Sequence, residues 1–126
     1  MTNLRNPDLR IRDIRKIIGL KAYNIAWDSG CDETSEYVIA SLENQKYTEK
    51  LTSWLSSKNI SPENEALLVS RSWGYVEKIY WSNILERPIN YFGKGSFQLY
   101  DLDLNWLMEI HTEIARFGRY RIKSKA

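Results

Sequence analysis

Hydrophobic positions recur every three or four residues along most of the chain, and that spacing predicts helices. Leu9, Ile14, Ile17 and Ile18 line one side of the first segment. Asn6-Pro7-Asp8 supplies its start: a capping side chain, a proline suited to the first helical position, and a carboxylate at the positive end of the dipole. Gly19 is expected to stop this helix. A short second helix is expected over residues 20–27, and Asp28-Ser29-Gly30 reads as a turn. Tyr37, Ala40, Asn44, Tyr47, Leu51 and Trp54 predict a longer helix from near Glu33 to near Lys58-Asn59. Ser61-Pro62-Glu63 is the clearest helix start, and Ala66, Val69, Trp73, Val76, Tyr80 and Ile84 form the stripe after it. Arg87-Pro88 ends that helix, because the residue before proline is pushed out of helical geometry. A final helix is expected from Asp101 or Asp103. Leu102, Trp106, Ile110 and Ile114 make its apolar face, Leu107 and Phe117 lie beside it, Arg116 suits its end and Gly118 its stop.

Residues 88–100 break the helical spacing. Gly93 and Gly95 flank Lys94 among Tyr91, Phe92, Phe97, Leu99 and Tyr100, which predicts a small hairpin or an ordered loop. The expected fold class is therefore all-α: a single-domain bundle of four or five helices over residues 1–118, with a loop or hairpin insertion near residues 88–100. Residues 119–126 read as a basic flexible tail. The 126 residues fit one domain, and no repeat or linker interrupts them.

Composition narrows the class without naming a partner. Apolar residues make up 43% and aromatics 13%, enough bulk to fold rather than stay disordered. The net charge is only +2, but residues 87–126 hold seven Lys and Arg against four Asp and Glu. Such asymmetry favours a nucleic acid or an acidic protein as partner. A single cysteine, Cys31, excludes an internal disulfide framework and fits a reducing compartment. Met1 to Lys16 lacks the apolar core of a signal peptide, and no apolar run reaches the roughly 18–20 residues that span a bilayer. A cytoplasmic protein with no membrane partner is expected.

Two patterns point to nucleic acid. Ile14, Gly19 and Ile25, with Ile18 and Leu20 beside the glycine, resemble the helix-turn-helix class over about 14 residues. Arg15 stands where that class prefers a small residue. The resemblance implies that the second helix would present Lys21, Ala22, Tyr23 and Asn24 to a major groove, where Asn reads adenine and Lys reaches guanine or phosphate. The other pattern is the basic end of the chain. Arg116, Arg119, Arg121, Lys123 and Lys125 contain no acid among them, and Phe117 and Tyr120 are interleaved. Cations there would neutralise phosphates while aromatic rings stack on unpaired bases. Arg5, Arg10, Arg12 and Arg15 would extend the surface if the two ends meet.

Enzyme chemistry has little support. Gly93-Lys94-Gly95-Ser96 lacks the spacing of a phosphate-cradling P-loop. His111 lies between Glu109 and Glu113 without a convergent ligand set, and pairing it with Cys31 would need the fold to bring them together. No catalytic residue, metal or cofactor is expected. The leading expectation is a small non-enzymatic nucleic-acid-binding protein, a helix-turn-helix-like regulator or a subunit of a nucleoprotein complex, with Lys21, Tyr23, Asn24, Arg116, Arg119 and Arg121 as contacts. The alternative is a helical protein-interaction module, such as an inhibitor, an immunity-type protein or an adaptor, using Trp73, Tyr80 and Trp81 on helix 62–86. Compact binding proteins of this kind suit phages and mobile elements.

Overall fold

The computed structural model describes residues 3–22, 24–29, 36–92 and 95–121. These form one antiparallel sheet of seven strands with three α-helices, so the all-α bundle is overturned. The order is α1 (Ile11–Lys21), β1 (Ile25–Trp27), β2 (Val38–Ile39), α2 (Gln45–Ser56), β3 (Glu65–Ser70), β4 (Val76–Tyr80) and α3 (Trp81–Glu86). A 3-10 turn at Pro88–Asn90, β5 (Phe97–Asp101), β6 (Trp106–His111) and β7 (Ile114–Tyr120) follow.

Across the sheet the strands run β1, β7, β6, β5, β3, β4. β2 pairs with the other half of the edge that β7 offers to β1: Trp27 faces Gly118, while Val38 faces Ala115. Helices cover both faces. α2 and α3 bring Leu51, Trp54, Trp81 and Ile84 against Trp106 and Phe117. α1 brings Ile14 and Ile18, with Leu4 ahead of it, against Leu67, Tyr100 and Leu107 on the opposite face. Among the described residues no helix is long and apolar enough to cross a membrane.

The failure of the helical reading has a physical cause. A spacing of four is close to one helical turn, yet it is also twice the strand repeat. Trp106 and Ile110 therefore share a face in β6 just as they would in a helix. Strands buried on both sides also read as continuous apolar runs, as Trp106-Leu107-Met108 does. The hairpin turns hide as well. Trp73, Leu104 and Thr112 take positive φ of 63°, 55° and 56° in the turns β3–β4, β5–β6 and β6–β7. Glycine or asparagine would normally announce such positions. Ser61-Pro62-Glu63 closes a turn, with the Asn64 amide donating to the Ser61 carbonyl, and caps no helix.

Of the expected helices, the first is real but starts at Ile11, capped by Arg10 rather than by Asn6-Pro7-Asp8, and runs through Gly19 to Lys21. The second is the strand β1. The third shrinks to α2, where the Asn44 side chain accepts from the Lys46 amide. The fourth becomes β3, β4 and α3, and the last becomes the β6–β7 hairpin. The insertion near residues 88–100 is a 3-10 turn followed by β5, an inner strand of the sheet. At the C-terminal end Arg119 and Tyr120 belong to β7, and residues 122–126 lie outside the described residues.

Gly118 is needed for its missing side chain. A Cβ there would stand 2.7 Å from Ile25 Cγ2 and 2.8 Å from Trp27 Cε3. Gly118→Ala is therefore expected to lower stability by about 1–3 kcal/mol through overpacking, read as an earlier urea midpoint. Thr112→Gly should act in the opposite direction. It relieves a left-handed residue and is expected to add up to about 1 kcal/mol, measured in the same denaturation series.

Candidate functional site

The segment from Arg10 to Lys21 carries five basic residues and one acid, Asp13. The helical repeat buries Ile14 and Ile18 and turns Arg12, Arg15 and Lys16 outward. Asp13 offsets them only in part: its carboxylate faces Arg10 at 3.4 Å, with a weaker attraction to Arg12. Lys21 closes the helix. The backbone then folds back, with the Asn24 amide donating to the Lys21 carbonyl at 3.0 Å.

Asn24 ties this corner to the other end of the chain. Its Nδ2 donates to the Arg121 carbonyl at 2.6 Å, and the Arg121 amide donates to the Asn24 carbonyl at 2.9 Å. Pairing of β1 with β7 thus brings the two basic ends of the sequence together. Lys21, Asn24 and Arg121 meet beside α1, but Asn24 is a structural clamp rather than a free base reader. Tyr23 lies outside the described residues, as do Cys31, Gly93, Lys94, Lys123 and Lys125. The helix-turn-helix geometry is absent: Gly19 sits inside α1 with open space where a Cβ would be, and Ile25 opens a strand.

The pleat of β7 separates the remaining arginines, because alternate residues point to opposite faces. Arg116 lies on the α1 face. Its guanidinium sits 3.6 Å from the centroid of the Trp27 ring and 5.3 Å from that of Tyr37. Its Nε donates to Glu109 Oε1 at 2.7 Å and its Nη1 to Glu36 Oε1 at 2.9 Å. Burial alone would lower its pKa, but Glu109, with Tyr37 and Glu36, outweighs that and raises it. This arginine holds β7 to β1, β6 and the segment before β2.

Arg119 lies on the α2 face. Its Nε is 3.6 Å from Asp28 Oδ1, and its Nη2 donates to the Lys58 carbonyl at 3.3 Å. Lys58 is only 5% exposed and lies 3.2 Å from Asp28 Oδ2, with its ammonium 4.5 Å from the centre of the Trp54 ring. Arg5 is also engaged, with two hydrogen bonds of 2.6 and 2.7 Å to Asp103, which hold that carboxyl below its usual range. Pairing therefore divides the cations of the two basic ends, with Lys58 between them, into two sets. Arg5, Arg10, Lys58, Arg116 and Arg119 face carboxylates. Among the described residues, Arg12, Arg15, Lys16, Lys21 and Arg121 make no ion pair.

The aromatic trio expected at a protein interface is scattered. Trp81 is 1% exposed and packs edge-on against Trp106 at 5.2 Å, so it is core. Trp73 stacks on Tyr100 at 6.3 Å under the Arg15 guanidinium. Tyr80, 51% exposed at the end of β4, is open to solvent. His111 stands 3.8 Å from Glu109 at the end of β6, and among the described residues no three metal-ligating side chains converge. Lys16 escaped the sequence reading, although its four-residue offset from Arg12 on a helix was the available signal.

Trp81→Ala should cost about 3–5 kcal/mol of stability, as for other buried tryptophans, detected by thermal or urea unfolding. Asp28→Asn removes one negative charge from beside the buried Lys58 ammonium and is expected to cost roughly 2 kcal/mol, the partial exposure of Asp28 softening a fully buried pair. No protein-family model matches the chain, and neither a curated protein nor a solved structure is similar to it.

Proposed function

We propose that the protein is a small, non-enzymatic, cytoplasmic nucleic-acid-binding protein that grips the phosphate backbone along α1 and the corner where Lys21 meets Arg121. One observation supports this reading: five cations on α1 and at the adjoining β1–β7 corner have no ion-pair partner among the described residues, a concentration unlike the single unpaired cations Lys46, Arg71 and Arg87 elsewhere in the fold. Unpaired arginine and lysine side chains displace condensed counterions when they meet phosphates, and that release drives association. Arg12 and Lys16 are one helical turn apart and Arg15 lies beside them, so several phosphates of one strand can be met together. Asn24 is committed to the backbone, so the reading assigns affinity to this surface and no base-specific contact.

A second reading, a protein partner, is favoured by Tyr80, which stands half exposed on the open edge strand β4. Tyrosine is a common anchor at protein interfaces.

Fluorescent duplex and single-stranded oligonucleotides, titrated at several salt concentrations, test the leading reading. Five phosphate contacts predict a log–log salt slope of about −4 to −5 for duplex. The triple variant Arg12→Ala, Arg15→Ala, Lys16→Ala is expected to flatten that slope by about three contacts while leaving the fold intact. Absence of binding at low salt, or binding that the triple variant leaves unchanged, overturns it and directs attention to the Tyr80 edge.

A further inference from the structure

On the α3 face, at the corner where β3, β4 and β5 end beside the 3-10 turn, lies a cleft of about 240 Å³. Tyr75, Tyr91 and Phe97 contribute aromatic walls, and Glu77, Asn90 and Ser70 contribute oxygens. The Tyr75 hydroxyl donates to Glu77 Oε2 at 2.6 Å. The Tyr91 hydroxyl is held above its usual pKa, first by burial and then by the nearby charge of Glu77. Two phenols thus converge on one carboxylate.

Among the described residues, no cation faces that carboxylate. Lys78, the next residue along β4, turns to the opposite face and pairs with Glu65 at 3.1 Å. A negative charge set among aromatic rings in a concave site is the arrangement that attracts a positive organic group, by charge and by the ring quadrupoles together. Sugars and other neutral polar ligands would leave the Glu77 charge unmatched.

We propose that this cleft binds an organic cation, an ammonium or guanidinium group. The cation lies over the rings of Tyr75 and Tyr91 with its charge against Glu77. This site is independent of the polyanion surface, which lies on the opposite face of the sheet with α1. The cation could be a free quaternary ammonium or a Lys or Arg side chain of a partner polypeptide, and these two sources share the recognition chemistry.

Amide NMR titration of the whole protein separates them. The probes are choline, a blocked Gly-Lys-Gly peptide, a blocked Gly-Arg-Gly peptide and the neutral choline isostere 3,3-dimethylbutan-1-ol. Saturable shifts at Ser70, Tyr75, Asn90 and Ser96 are expected with the cations, and binding about tenfold weaker with the neutral isostere. Glu77→Gln should weaken cation binding about tenfold. Tyr75→Phe, which keeps the ring, should weaken it less than Tyr75→Ala. Tighter binding of choline assigns a free metabolite, and tighter binding of a peptide assigns a partner side chain. The proposal is overturned if tens of millimolar of every cation leave the cleft resonances unmoved. It is also overturned if the neutral isostere binds as well as choline, or if Glu77→Gln, shown folded by its own spectrum, binds as tightly as the native chain.

Discussion

Everything in this fold depends on β7 being paired along both of its edges. One edge takes β6 over its whole length, and the other takes β1 near Tyr120 and β2 near Ile114. Without that second edge β1 and β2 would have no strand to pair with. Side-chain contacts reinforce the backbone bonds from both faces. Phe117 stacks on Trp106 on the α2 face, while Trp27 occupies the space that Gly118 leaves on the other. Arg116 then joins Trp27, Glu36 and Glu109 through one guanidinium, a planar group able to stack and to donate in several directions at once.

The same strand explains how far the sequence was legible. Helix α1 was visible because its apolar residues follow a helical spacing that no strand reproduces: Ile14, Ile17 and Ile18 cannot share one side of a strand. Trp106 and Ile110 satisfy both repeats, and nothing local chose between them. The deciding contacts are long-range, as between Trp27 and Gly118, and a window of a dozen residues does not contain them. Turn chemistry, the usual remedy, was missing where Leu104 and Thr112 occupy positions that glycine would mark.

Charge was legible in amount and misleading in arrangement. The basic C-terminal run was counted correctly, yet pleating sends Arg116 and Arg119 to opposite faces, where they meet Glu36 and Asp28 from distant segments. Asn24 looked like a base reader because an amide can read adenine, but its amide instead closes the β1–β7 corner. The surviving candidates are those that belong to the basic ends in sequence and, among the described residues, make no ion pair in space. Only the fold supplies the second condition. The aromatic wealth divides similarly. Trp81 completes the core, whereas Tyr75 reaches a cleft assembled from three strands and a turn, which no linear pattern encodes.

The double pairing of β7 also sets an order of events during synthesis. β1 is translated some ninety residues before its partner, so at roughly 5–20 residues per second it waits several seconds or longer for a strand to join. Throughout that interval Trp27 and Val38 have no neighbouring strand to pair with, while the residues under Ile14 and Ile18 on β3, β5 and β6 emerge earlier. Pairings between segments so distant in sequence carry a large loop-closure cost and fold slowly. β1 and β2 are therefore committed to an unpaired nascent state until β7 clears the ribosome, a window in which chaperones and proteases compete with the fold.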